Sequence, residues 1–349
     1  MITREKTKVV HIGGVPIGGG HPIVIQSMTN TDTRDSVATI AQIQDLVKAG
    51  CEIVRVAVPD IEAADALKRI KKEITVPLVA DIHFDYRLAL ESVKNGVDKL
   101  RINPGNIGNG LRLQKVAEAA KAAEIPIRVG VNSGSLEKDI MKKYGMTPEG
   151  LAESALLNVS MLENYGFNNI VVSVKASNIP LMLEAHKILA ARLSYPLHIG
   201  LTHAGTPYKG AIRSAAGLGA LLAAGLGDTL RVSLSGDPVG EIHCAKEVLA
   251  AMGLRQFGPV VIACPACGRT DTNMAHLSSQ IEERLETINK PITVAVMGCV
   301  VNGPGEAREV DVGIAVGRGS GVLFRKGEIV RKVYESEFIE ALLEEVDNL

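Results

Sequence analysis

The chain has 349 residues, enough for about two domains or for one large barrel with an appendage. Thirty-eight Lys and Arg against 39 Asp and Glu leave a formal net charge of −1, which excludes a surface built for general attraction to nucleic acid or membrane. A hydrophobic content of 46% excludes a disordered chain, and 3% aromatic residues with no Trp exclude a stacking platform for single-stranded nucleic acid. No run of about 18 apolar residues is present, so no spanning helix is expected. The charged opening MITREKTKVVHIGG lacks an apolar leader segment, which points to the cytoplasm, where thiols stay reduced.

The glycines at Gly13-Gly14 and Gly18-Gly19-Gly20 precede the first strand and predict a hairpin that covers one end of the fold. From there β-branched runs alternate with longer runs rich in Ala, Leu, Glu and Lys. Strands are predicted at Ile23–Asn30, Ile53–Pro59, Pro77–Phe84, Lys99–Pro104, Ile125–Ser133, Asn169–Ser177, Leu197–His203 and Thr229–Ser235. The helices between them are predicted at Val37–Ala49, Ile61–Lys72, Tyr86–Asn95, Leu111–Ala123, Pro148–Tyr165, Pro180–Arg192, Lys209–Ala224 and Val239–Met252. Eight βα units in about 250 residues have the count and size of a (β/α)8 TIM barrel, here over residues 1–253. An open doubly wound sheet is the competing architecture.

After Gly253 the alternation stops. A linker Leu254–Pro259 leads to a strand Val260–Ala263, a Cys-rich turn, a helix Ala275–Ile288 and a strand Ile292–Met297. Two more strands near Val312–Val316 and Gly321–Phe324 and a helix Glu337–Val346 complete a small α+β domain over 254–349.

In such a barrel chemistry sits at the C-terminal ends of the strands. Five strands carry a cation there: Arg55, Arg101, Arg128, Lys175 and Arg231. Strand parity puts Asp81 with His83, Arg101 with Asn103, and Arg231 with Ser233 on shared faces. Asn132 and His203 lie at two further strand ends. Pairing with interior acids would explain one such cation, but Asp81 is the one evident acid on these segments. Burying unpaired cations is costly, so an anionic ligand is expected, a small phosphate or diphosphate.

Cys264 and Cys267 form a CxxC turn, and Cys299 follows after 31 intervening residues, in Gly298-Cys299-Val300-Val301-Asn302-Gly303-Pro304-Gly305-Glu306. Three soft thiolates suit zinc or an iron–sulfur cluster, with His276 or Glu306 as a fourth ligand, and spacing does not separate the two metals. Cys51 and Cys244 lie by apolar helix faces and read as inert thiols. A non-redox barrel enzyme acting on a phosphate ester, with a structural zinc, is the alternative to a redox enzyme. An electron carrier without a substrate of its own is a third reading, which the barrel cations disfavour.

Several motifs stand in order along nearly the whole chain. They are Gly14-Val15-Pro16-Ile17-Gly18-Gly19, Gln26-Ser27-Met28-Thr29-Asn30-Thr31-Asp32-Thr33, Asp81-Ile82-His83-Phe84, Arg101-Ile102-Asn103-Pro104-Gly105-Asn106, Gly130-Val131-Asn132-Ser133-Gly134-Ser135-Leu136 and the two cysteine segments. With them the sequence resembles the 4-hydroxy-3-methylbut-2-en-1-yl diphosphate synthase family, in its two-domain form. The resemblance implies reductive ring opening and dehydroxylation of 2-C-methyl-D-erythritol 2,4-cyclodiphosphate in the non-mevalonate isoprenoid pathway. It implies a [4Fe–4S] cluster, electrons from flavodoxin or ferredoxin, and a homodimer in which the cluster domain of one chain closes over the barrel of the other. By the same resemblance Cys264, Cys267, Cys299 and Glu306 are cluster ligands, with Glu306 exchangeable. Arg55, Arg101, Arg128, Lys175, Arg231 and Ser233 bind the diphosphate, and Asp81, His83, Asn103 and Asn132 are polar positions of the same pocket. Many members have Glu where His203 stands, which implies that His203, or a nearby acid, takes an acid/base role.

Overall fold

The computed structural model describes residues 3–107, 110–267, 270, 272–299 and 309–349. The chain divides into two compact units, Met1–Leu254 and Arg255–Leu349. Among the described residues, no helix is long and apolar enough to cross a membrane.

The first unit begins with a hairpin, β1 (Val10–Ile12) and β2 (Val15–Ile17). Eight parallel strands follow: β3 (Val24–Met28), β4 (Ile53–Ala57), β5 (Leu78–Asp81), β6 (Lys99–Ile102), β7 (Ile127–Asn132), β8 (Ile170–Lys175), β9 (His198–Ile199) and β10 (Thr229–Leu230). They pair in the order β8-β7-β6-β5-β4-β3-β10-β9, and a parallel bridge between Val172 and Leu197 joins the two ends of that series. The sheet is therefore a closed barrel rather than an open doubly wound sheet.

Helices α1 (Ser36–Ala49), α2 (Ile61–Glu73), α3 (Tyr86–Lys94), α4 (Pro104–Ile107), α5 (Gly110–Ala122), α6 (Lys138–Tyr144), α7 (Pro148–Glu163), α8 (Ile179–Arg192), α9 (Pro207–Ala223) and α10 (Pro238–Ala251) connect the strands. Their starts follow local chemistry. Asp35, Asp60, Asp85, Thr147, Asn178 and Asp237 each accept a backbone N–H of the first turn, a cap worth about 1 kcal/mol. α1 stops at Gly50, whose φ of 103° a side chain would resist. The eight long helices agree with the sequence reading to within two residues at their starts. The short α4, whose Pro104 closes a predicted strand, and α6 are too brief for a periodic signal.

The predicted hairpin plugs the barrel end opposite the strand C-termini. Val10, Ile12 and Ile17 pack against Val24, Ile53, Val79 and Val171 from four strands, giving an apolar floor. Each such buried side chain contributes about 1.5–3 kcal/mol. The last two strands are shorter than predicted. Arg231 N–H donates to the Ile199 carbonyl at 3.0 Å, and then both chains turn off the ladder. A Cβ at Gly200 would lie 2.5 Å from the Arg231 carbonyl oxygen, closer than a side chain allows.

The second unit is a five-stranded mixed sheet with the order β11-β12-β13-β14-β15. Its strands are β11 (Val260–Ala263), β12 (Thr293–Met297), β13 (Val312–Gly317), β14 (Ser320–Arg325) and β15 (Glu328–Tyr334). The first three run parallel and the last two antiparallel. Helix α11 (Met274–Leu285) and the C-terminal helix Phe338–Asp347 bury Leu277, Ile281, Leu285, Phe338 and Leu342 against Val294, Ile314 and Leu323. Strand β15 was not predicted. It is an edge strand with one buried residue, Val333, so it carries little apolar alternation.

Candidate active site at the barrel mouth

Parity along the barrel strands turns a stack of polar side chains inward above the apolar floor. The upper layer lines one cavity at the strand C-termini. Its lining includes Arg55, Asp81, His83, Arg101, Arg128, Asn132, Lys175, Arg231 and Ser233, with Gly130, Ser173, Leu201 and Thr202 between them. Nine of the residues predicted from sequence are thus gathered in one place.

Two carboxylates organise three of the guanidinium groups. Asp81 Oδ1 lies 2.8 Å from Arg101 Nη1, and its Oδ2 lies 3.5 Å from His83 Nε2 and 3.7 Å from Arg55 Nε. Burial alone would raise the Asp81 pKa; Arg55, a hydrogen bond with His83 and Arg101 outweigh it and hold the carboxyl well below the usual range. Burial lowers Arg55 to about 10 against the pull of Asp81. Glu241, on the first turn of α10, accepts from Arg231 Nε at 3.1 Å and Nη2 at 3.2 Å. It also accepts from Ser27 Oγ and from Leu234 N–H, so it fixes both the guanidinium and the loop beyond β10.

Three further cations have no such partner. Among the described residues no carboxylate pairs with Lys99, Arg128 or Lys175, and all three are buried. Among the described residues Arg128 Nε and Nη2 have no hydrogen-bond partner. Burial and then the neighbouring guanidinium groups push the two lysines well below their ordinary pKa. Lys99 lies in a lower polar layer, donating to Gln26 Oε1 at 3.1 Å, near a His198–Thr229 hydrogen bond of 2.8 Å.

Two glycines make room for this charge. A Cβ at Gly130 would come within 2.7 Å of Arg101 Nε, and one at Gly200 within 2.9 Å of Lys175 Nζ. The packing of the cations therefore depends on hydrogen at both positions.

Two predicted residues lie apart from the lining. Asn103 is buried behind it, with Oδ1 accepting from Gly105 N–H at 3.2 Å. His203 sits four residues past β9 on an exposed turn, with a left-handed φ of 55°. Lys99 and Glu241 are not among the residues that the strand ends single out. Lys99 had a signal, since an ammonium opening an otherwise apolar strand run needs a reason. Glu241 had none, because an acid in a first helical turn ordinarily serves the helix dipole.

In the second unit Cys264 follows β11 directly and Cys299 lies two residues past β12. These strands are parallel neighbours with Ala263 opposite Val296, so both thiols leave the same edge of the sheet. Cys267 follows on the intervening turn, where its N–H donates to Thr270 Oγ1 at 3.3 Å. A Cβ on Gly298 would lie 2.7 Å from that same oxygen, which brings the two cysteine loops into contact. All three are free thiols with some exposure. Their donor chemistry and common edge fit a thiophilic metal group. Among the described residues no three His, Cys, Asp or Glu side chains converge on one ion position, and Glu306 lies outside the described residues. His276 is exposed on α11.

A closed parallel barrel with a cationic cavity at its strand C-termini, followed by a thiol-bearing α+β unit, defines a two-unit (β/α)8 protein. The family model described as the GcpE TIM-barrel domain matches residues 7–246, and that of the GcpE protein C-terminal domain matches 260–348. The chain belongs to the GcpE family. It is 54% identical over 347 residues to the 4-hydroxy-3-methylbut-2-en-1-yl diphosphate synthase (flavodoxin) of Clostridium acetobutylicum, covering 99% of each chain. It is 55% identical to the protein of that name from Caldanaerobacter subterraneus subsp. tengcongensis, covering 99% of this chain and 98% of the relative. The dihydropteroate synthase of Stenotrophomonas maltophilia shares the barrel fold, with a TM-score of 0.52 at 14% identity over 72% of this chain and all of that one.

Proposed function

We propose that this chain reductively opens 2-C-methyl-D-erythritol 2,4-cyclodiphosphate to 4-hydroxy-3-methylbut-2-enyl diphosphate. The observation that carries the reading is the charge of the cavity: among the described residues five cations line it with one carboxylate, Asp81. A bound diphosphate supplies the missing negative charge. The full-length similarity to synthases of that product supports the same assignment.

In this reading Arg55, Arg101, Arg128, Lys175, Arg231 and Ser233 grip the two phosphates. Ring opening breaks a carbon–oxygen bond and leaves the electron pair on a phosphate oxygen, where these fixed cations stabilise it. Asn132 and Asn103 orient the carbon skeleton. Overall two electrons and two protons enter and one water leaves. His83, at ion-pair distance from Asp81 in the cavity wall, is the imidazole best placed to move a proton. His203 serves that role once its turn faces the cavity. Cys264, Cys267, Cys299 and Glu306 would hold a [4Fe–4S] cluster, which supplies the electrons that flavodoxin or ferredoxin delivers. We further propose a homodimer working in the cytoplasm.

Turnover by anaerobically prepared holoprotein tests the reading. A brown protein with about four irons per chain should convert the cyclodiphosphate at two electrons per product when given reduced flavodoxin. A colourless protein holding zinc and inert toward the cyclodiphosphate overturns it.

A further inference from the structure

Two loops of the barrel mouth are tied together from behind by one helix. Gly105 lies four residues past the cavity-lining Arg101, and Glu137 lies five past the cavity-lining Asn132. Gly105 N–H is shared between Asn158 Oδ1 at 2.8 Å and Asn103 Oδ1 at 3.2 Å. Asn158, fully buried on α7, gives its Nδ2 to Glu137 Oε1 at 2.7 Å and to the Ser154 carbonyl at 2.8 Å. The second Glu137 oxygen accepts from Ser154 Oγ at 2.6 Å. The fit is close, since a Cβ on Gly105 would stand 3.1 Å from Glu137 Oε1.

We infer that Asn158 is a positioning residue that clamps the β6 and β7 loops and releases Asn103 for the ligand. Gly105 is exposed and its N–H contacts are part-buried, so keeping an acceptor there is worth about 0.5–1.5 kcal/mol, the net value of an ordinary hydrogen bond. Asn158 already holds the Gly105 N–H through the shorter bond. Asn103 can therefore turn its amide toward the cavity without orphaning that donor. Glu137 and Ser154 keep the Asn158 amide in the required orientation, with its oxygen toward Gly105. The role assigned to Asn103 rests on the function proposed above; the clamp does not.

Asn158→Asp tests this. It keeps an oxygen for Gly105 but sets a second carboxylate against Glu137. The KM for the cyclodiphosphate should rise about tenfold while kcat changes less than about twofold. Amide exchange of segments 103–107 and 132–144 in the ligand-free protein should quicken together, with segment 82–86 unchanged. The double variant Glu137→Gln/Asn158→Asp restores a donor–acceptor pair and should recover KM to within about threefold of wild type. Unchanged KM and exchange, or a loss that the double variant does not rescue, overturns the clamp. Should Asn158→Asp fail to fold, Ser154→Ala carries the test: it must raise both KM and exchange in 132–144, and no change refutes the inference. A wild-type holoprotein that ignores the cyclodiphosphate sinks the functional reading instead, while the exchange measurements still decide the clamp.

Discussion

In the barrel, each guanidinium of the upper layer springs from a strand or from the residue after one, and two buried carboxylates hold three of them in place. In the second unit the cysteines leave strand ends on turns held by backbone bonds and by Thr270. The barrel mouth is preorganised by its own side chains, whereas among the described residues the three thiols converge on no common point. A charge-recognition site must exist before its ligand arrives, because cations reoriented on binding would spend much of the attraction. A thiolate set gains its geometry from metal bonds of far larger energy.

The largest effect should come from the thiols. Cys264→Ser is expected to abolish iron retention and reduce turnover to background, while the urea midpoint of the barrel stays where it was. A barrel that loosens in parallel would mean the two regions are not separable in this way.

Next come the paired and unpaired cations. Asp81→Asn leaves Arg55 and Arg101 buried beside a neutral amide and should cost about 3–5 kcal/mol in chemical denaturation. The Asp81 contribution is complete above the ordinary carboxylate pKa of about 3.9 and fades as the pH falls below it, since its folded value is depressed. Lys99→Met removes a buried amine that has no carboxylate partner among the described residues and should leave stability within about 1 kcal/mol of wild type. Equal losses for both variants would show that a hidden partner neutralises Lys99.

The smallest effect concerns Asp228 at the barrel floor. Burial raises its pKa to about 6, partly offset by hydrogen bonds from Leu197 N–H and Thr7. The folded chain then holds more protons than the unfolded one between about pH 4 and 6, so stability falls as pH rises through that window. Asp228→Asn should flatten that slope in pH-dependent melting; an unchanged slope would assign it to another group.

The barrel was legible because its strands are apolar runs interrupted by one or two polar side chains, which on β6, β7 and β8 share one parity. Arg55, Arg101, Arg128 and Lys175 stood out against such backgrounds, and all four line the cavity. What stayed hidden depends on contacts between distant segments. The grip of Glu241 on Arg231 and that of Asn158 on Gly105 leave no local pattern. His203 lies outside the cavity lining for a different reason: its strand ends at Ile199, and past a ladder's end parity no longer dictates direction. Strand β15 was missed because an edge exposed on most of its residues has the composition of a loop.

The plug formed by Val10, Ile12 and Ile17 has an electrical consequence. It backs the charged layer with hydrocarbon, much as an insulator backs a plate electrode. Field lines from Arg128, Lys99 and Lys175 then escape chiefly through the open end. A nearly neutral molecule thereby acts at short range like a strongly positive one, and multiply charged anions arrive by drift as well as by diffusion, at a rate that added salt should slow.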